Sequence, residues 1–217
     1  MTGPVLLQMT FERLKHSVAL YYRDKLLEHG PTHLGVDWNS PESQKLMFEQ
    51  LLKVCPPGSH FTINDYGCGY GALVDYIVEA GYSCKYVGFD LSQEMIDAAR
   101  QKYAKHRWAD FVTDDCPVAD YTVASGIFNV RLNVSNDDWQ NYMLFTIRHM
   151  SDLSKRGFAF NVLTSYSDPQ LMLPDLYYPN PCFLFDYCKR NFSKQVALLH
   201  DYGLYQFTII VRKEETS

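Results

Sequence analysis

Residues Asp65 to Gly71 read Asp-Tyr-Gly-Cys-Gly-Tyr-Gly, three glycines at alternate positions behind an acid. They lie between the apolar, β-branched stretch Phe61-Thr62-Ile63 and the run Ala72 to Val78, whose apolar residues suit a helix. Glycine at a strand-to-helix turn permits tight dihedrals and lets a ligand touch the main chain. The spacing Gly67-x-Gly69-x-x-Ala72 also satisfies the looser dinucleotide pattern, so the loop alone does not choose between nucleoside cofactors. Its surroundings narrow the choice. The next strand-like stretch ends in Asp90-Leu91, roughly 20 residues on, where a carboxylate can accept hydrogen bonds from both hydroxyls of a ribose. A third stretch ends in Thr113-Asp114-Asp115, where an adenine amine can donate to one of the two acids. The set points to an adenosine-containing ligand.

These residues need a sheet to hold them. From Phe61 the chain alternates strand-like and helix-like stretches: strands Phe61 to Tyr66, Ser83 to Phe89, Trp108 to Thr113, Tyr121 to Phe128 and Gly157 to Leu163. Helices are expected after Gly71, from about Ser92 to His106 and from about Asn136, the last with Ser135 and Asp138 as a capping box. Alternation predicts an α/β, doubly wound, mostly parallel sheet with helices on both faces. Upstream, Leu7, Phe11, Leu14, Val18 and Tyr21 or Tyr22 recur at helical spacing up to Gly30-Pro31, and Ser40-Pro41 starts a second helix. Residues 164–181 carry Pro169, Pro174, Pro179 and Pro181, which preclude a long regular helix there, and the chain ends in two strand-like runs joined at Tyr202-Gly203, an antiparallel hairpin.

The sequence resembles the class I S-adenosylmethionine-dependent methyltransferases, of the Rossmann-like, small-molecule type. Asp65 to Gly71 is similar to their D-x-G-C-G-x-G loop, Asp90 matches their ribose-binding acid and Val112 to Asp115 their acidic segment near adenine. The resemblance covers roughly Phe61 to Lys213 and implies seven strands, the last antiparallel. It implies S-adenosylmethionine as cofactor, with Gly67, Cys68, Gly69 and Gly71 along its methionine part and Asp65 near the ammonium. Asp90 would take the ribose, Leu91 would pack on adenine, and Asp114 or Asp115 would face the adenine amine. Residues 58–217 form the expected core, and residues 1–57 a helical cap or lid of the same domain.

Methyl transfer requires the protein chiefly to hold two reactants in contact and exclude water, with a base only where the acceptor carries a proton. Residues leaving the carboxyl ends of the strands are the candidates. They are Asn129, Arg131 and Asn133 after the fourth strand, Tyr166 after the fifth, Tyr177 and Tyr178 in the proline-rich excursion, and His200 after the sixth. His200 is the candidate base, Tyr166 and Asn129 its catalytic companions; a histidine bonded at a sheet edge is the alternative. Tyr21, Tyr22, His33, Trp38 and Gln44 are candidates for the lid, although helical spacing also lets the tyrosines serve as core.

A formal net charge of −5 and the absence of a basic run argue against a phosphate-tracking surface. Neither the N-P-P-Y-type motif nor a proline-cysteine nucleophile follows the fourth strand. Nucleic acid is thus not an expected partner, and a small molecule is: a sugar, nucleotide-linked or natural-product hydroxyl or amine. An RNA or protein methyltransferase, a catalytically silent binding subunit of the same fold, and a nicotinamide-dependent oxidoreductase are the alternatives. The six scattered cysteines contain no C-x-x-C pair, so reduced thiols and no metal site are expected. No apolar run is long enough for a bilayer and no signal-peptide pattern opens the chain, which predicts a cytoplasmic protein with no membrane association.

Overall fold

The structure is a computed structural model that describes the backbone of residues 4–114 and 116–214, with side chains from residue 11 onward. Asp115 lies outside the described residues. Seven strands form one sheet in the order β3-β2-β1-β4-β5-β7-β6. They are β1 (His60–Tyr66), β2 (Ser83–Phe89), β3 (Ala109–Val112), β4 (Ala119–Ala124), β5 (Ser154–Leu163), β6 (Gln195–Leu199) and β7 (Gln206–Arg212). β1 to β5 pair in parallel, and β7 runs antiparallel to both β5 and β6. The doubly wound fold with its terminal hairpin is therefore as the sequence leads one to expect.

Alternation along each strand sends side chains to opposite faces. Phe61 and Ile63 of β1 join Ile210 of β7 and the helices α2 (Pro41–Leu52), α3 (Leu73–Glu79) and α4 (Gln93–Lys102) in one core. Phe158, Phe160, Phe207 and Ile209 point the other way, onto α5 (Asn136–Asp152) and α6 (Pro181–Asn191). Three helices begin as the sequence specifies: Ser40, Ser92 and Ser135 each accept a backbone N–H of the first turn.

Two expectations change. β4 stops at Ala124, because Gly126 at φ 76° turns the chain and sends Phe128 into the core against Phe160 rather than onward as strand. Pro181, read as a breaker, opens α6 instead, since proline at the first helical position lacks only an N–H that has no partner there; Asn180 caps the turn by accepting from Cys182 and Phe183.

The first helix, α1 (Pro4–His29), is 26 residues long and crosses the carboxyl-terminal edge of the sheet. Phe11 packs on Tyr142 and Phe145 of α5 at one end, and Leu26 joins Tyr70 and Met95 of α4 at the other. A 3-10 turn, Leu34–Val36, brings the chain back over the glycine loop. α2 then leaves this edge to pack on β4, β5 and β7.

Candidate active site

The order of strands reverses between β1 and β4, and in such sheets a crevice opens there, beyond the strand ends. It holds a cavity of about 810 Å³. Gly67 and Cys68 donate their N–H groups to Phe89 O at 2.7 and 2.9 Å, which ties the loop after β1 to the end of β2. Gly67, Gly69 and Gly71 all have positive φ. At Gly67 a Cβ would stand 2.2 Å from Ile127 Cγ2, so the loop must be bare for the β4 exit to approach it.

Asp90 closes the adjoining wall. Its Oδ2 accepts from Gly69 N at 2.8 Å and its Oδ1 from Ser92 N at 2.9 Å, which fixes the carboxylate while leaving lone pairs on both oxygens. Burial raises its pKa, and the N–H groups of Ser92, Gly69 and Leu91 oppose that rise. Asp65 is buried, accepts from Tyr86 Oη at 2.8 Å, and is pushed up to about 7, chiefly by burial. The Cys68 thiol is buried, which holds its pKa well above the ordinary value.

The geometry is thus a bare glycine loop, a half-buried carboxylate one strand away, and a buried second carboxylate beneath the loop. Residues 63–154 match the family described as "Methyltransferase domain". Over 167 residues the chain is 50% identical to "Putative methyltransferase Rv1506c" of Mycobacterium tuberculosis, an alignment spanning 75% of this chain and 99% of that protein. The chain belongs to the class I S-adenosylmethionine-dependent methyltransferases. In fold it is similar to the magnesium protoporphyrin IX methyltransferase of Synechocystis PCC 6803 with bound S-adenosylhomocysteine, at a TM-score of 0.63 and 14% identity over 95% of this chain and 99% of that one.

In this methyltransferase the cavity wall includes Asp65, Gly67, Cys68, Gly69, Asp90 and Leu91, so most of the expected cofactor residues come together. Gly71 does not join them. A Cβ there would stand 2.8 Å from the rings of both Phe111 and Tyr103, so this glycine lets the helix start pack on β3. Asp114 is exposed and stands outside the wall.

The N-terminal segment also contributes. Tyr21, Tyr22, Trp38 and Gln44 line the cavity, whereas His33 borders a separate groove of about 310 Å³. Among the acceptor candidates Asn129 and Tyr178 line the cavity; Asn129 Oδ1 accepts from Leu163 N at 3.1 Å, which braces the exits of β4 and β5. Arg131 is spent on structure, donating to the carbonyls of Val134 and Pro174, and the buried Tyr177 donates to Gln140 at 3.1 Å. Exposed Asn133 has no place in the wall.

His200 and Tyr166 are not brought to the site. Both are exposed, with ring centroids 6.1 Å apart, and neither is part of the wall. β6 is the edge strand, and although Gly203 to Gln206 of the turn after it line the cavity, His200 itself does not. His200→Ala is therefore expected to leave both cofactor affinity and turnover within about twofold of the parent, checked by calorimetry and initial rates. A loss of turnover with cofactor binding intact would restore the imidazole to the chemistry.

Sequence reasoning missed Lys25, Asp37 and Asp175, which also line the cavity. Lys25 stands on the α1 face one turn beyond Tyr21, but no sequence pattern marks the loop acids Asp37 and Asp175.

Proposed function

We propose that this enzyme transfers the methyl group of S-adenosylmethionine to the hydroxyl or amine of a small molecule. The observation that carries the reading is the size and lining of the cavity: residues of α1 and Trp38 form one side of it, and its wall beyond the glycine loop includes Val18, Ile127, Val130, Tyr142 and Leu163. A cavity of about 810 Å³ is of the size that accepts a cofactor and a compact acceptor rather than a folded polymer. Its charge supports the same reading. Asp37, Asp65, Asp90 and Asp175 face it against Lys25, a balance unfavourable to polyanions.

The residues present suit the cofactor. Asp90 keeps lone pairs for the two ribose hydroxyls, Gly67, Cys68 and Gly69 offer backbone to the methionine part, Leu91 covers adenine and Asp65 pairs with the ammonium. The cofactor supplies an electrophilic methyl group; the chain holds, orients and dries the reactants. Incubation with labelled S-adenosylmethionine tests the acceptor class, using pools of glycosides, phenols and amines below about 1 kDa beside total tRNA and denatured polypeptide. Label in the small-molecule pools supports the reading, and label in tRNA or polypeptide contradicts it.

The Asp65 assignment carries a pH dependence. Tyr86 of β2, Asp90 just after it, Cys68 in the loop, Tyr103 after α4 and Cys116 before β4 face this carboxyl, and none is a cation. Its pKa of about 7 lies above the ordinary 3.8, so the free enzyme loses stability from this group as pH rises between those values. An ammonium beside Asp65 reverses the preference. Cofactor affinity should rise with pH through 7, with a proton released on binding near neutrality, measurable by calorimetry in two buffers of different ionisation enthalpy. Asp65→Asn should abolish the proton release, whereas a parent protein without it would contradict the pairing.

A further inference from the structure

Asp37 has φ 59°, in the left-handed region that only Asp37 and Leu132 adopt among the described non-glycine residues. The turn lays its two neighbours on opposite sides of the crevice. Val36 Cγ1 stands 2.9 Å from where a Cβ on Gly69 would be, and Trp38 Cζ2 stands 3.7 Å from the same point on Gly126. Gly69 belongs to the cofactor loop and Gly126 to the exit of β4. Asp37 is therefore bracketed by the glycine loop on one side and the exit of β4 on the other.

Two side chains of α1 fix its carboxylate within the cavity. Tyr21 Oη donates to Oδ2 at 2.5 Å, and Lys25 Nζ lies 2.9 Å from Oδ1. Burial and the adjacent Asp37 hold the Tyr21 phenol above its ordinary pKa, with Asp175 adding to this from the excursion, so Tyr21 remains a donor. A carboxylate offers about four lone-pair directions, of which these contacts use two. Its side chain is 25% exposed, and all three residues line the cavity, so the remaining acceptor capacity is within reach of a ligand.

We propose that Asp37 is the carboxylate that binds the O–H or N–H receiving the methyl group, a role that rests on the cofactor placement given above. For a hydroxyl acceptor, oxygen bonds to the methyl carbon as the carbon–sulfur bond breaks. The sulfur keeps that electron pair and becomes neutral, and the hydroxyl proton passes to Asp37. Tyr21 and Lys25 position the carboxylate for this exchange, a task that no histidine in the cavity wall performs.

Sinefungin probes the acceptor side without knowledge of the acceptor, because an amine-bearing carbon replaces its methylated sulfur and projects where the methyl would point. Calorimetry with sinefungin and S-adenosylhomocysteine should show the parent preferring sinefungin by about tenfold or more. Asp37→Asn suits the same backbone, since asparagine adopts left-handed φ readily and can still accept from Tyr21. The variant should bring the preference close to parity while S-adenosylhomocysteine affinity stays within about threefold. A preference that survives in Asp37→Asn, or equal losses for both ligands, overturns the proposal, the second outcome reducing Asp37 to a brace for the cap. A parent that binds neither ligand overturns the cofactor placement as well.

Discussion

Asp90→Ala is expected to weaken S-adenosylhomocysteine binding by about two to four orders of magnitude. A carboxylate holding both hydroxyls of a ribose makes two charge-assisted hydrogen bonds, each worth about 1.5–3 kcal/mol, and a tenfold change corresponds to about 1.4 kcal/mol. The same oxygens accept from Gly69 N and Ser92 N, so the substitution also frees the glycine loop and the first turn of α4. Asp90→Asn separates the two effects: its amide retains one acceptor oxygen for the loop and loses the charge. Calorimetry on both variants, with circular dichroism to verify folding, should rank the losses as alanine above asparagine. Affinity in Asp90→Ala within about threefold of the parent would remove Asp90 from the ribose.

Gly71→Ala should cost stability rather than affinity. Left-handed backbone costs a residue with a Cβ about 1–2 kcal/mol, and forcing that Cβ to 2.8 Å from the Phe111 and Tyr103 rings adds about 1–3 kcal/mol of overpacking. A loss of about 3 kcal/mol lowers the midpoint of thermal unfolding by roughly 6–12 °C in a chain of this size. Gly58 supplies the control, for it also has positive φ, at 72°, with nothing within 4 Å of a Cβ. Gly58→Ala should therefore lose only the backbone contribution. Equal midpoints for the two variants would show that the rings yield and that Gly71 is not a packing glycine.

The difference between Gly71 and its neighbours illustrates what a sequence carries. The spacing of Gly67, Gly69 and Gly71 marks a turn with positive φ, and strand-loop-helix patterning places that turn at the sheet edge; both are local properties. Whether a glycine is bare for a ligand or for a ring depends on what crosses it. Phe111 and Tyr103 are some 30 to 40 residues on, and the sequence does not show that they converge on Gly71. Ser40 and Ser135 were legible as caps because capping is a contact within one turn.

The same division explains the acceptor side. His200 attracts attention by residue type at a strand end, yet on the edge strand β6 its ring is exposed and it is the following turn, Gly203 to Gln206, that lines the cavity. Asp37 carries no periodicity and no motif. It enters the cavity because α1 spans the sheet edge and the 3-10 turn folds the following loop back over the glycines, with Tyr21 and Lys25 fixing the carboxylate. Among the described residues no helix is long and apolar enough to cross a membrane.

Parallel calorimetric titration of the purified protein with S-adenosylmethionine, S-adenosylhomocysteine and NAD tests the central claim most directly. The account expects the first two to bind with one site per chain and NAD to give no heat of binding. Binding of NAD with no response to the two sulfur compounds would contradict it.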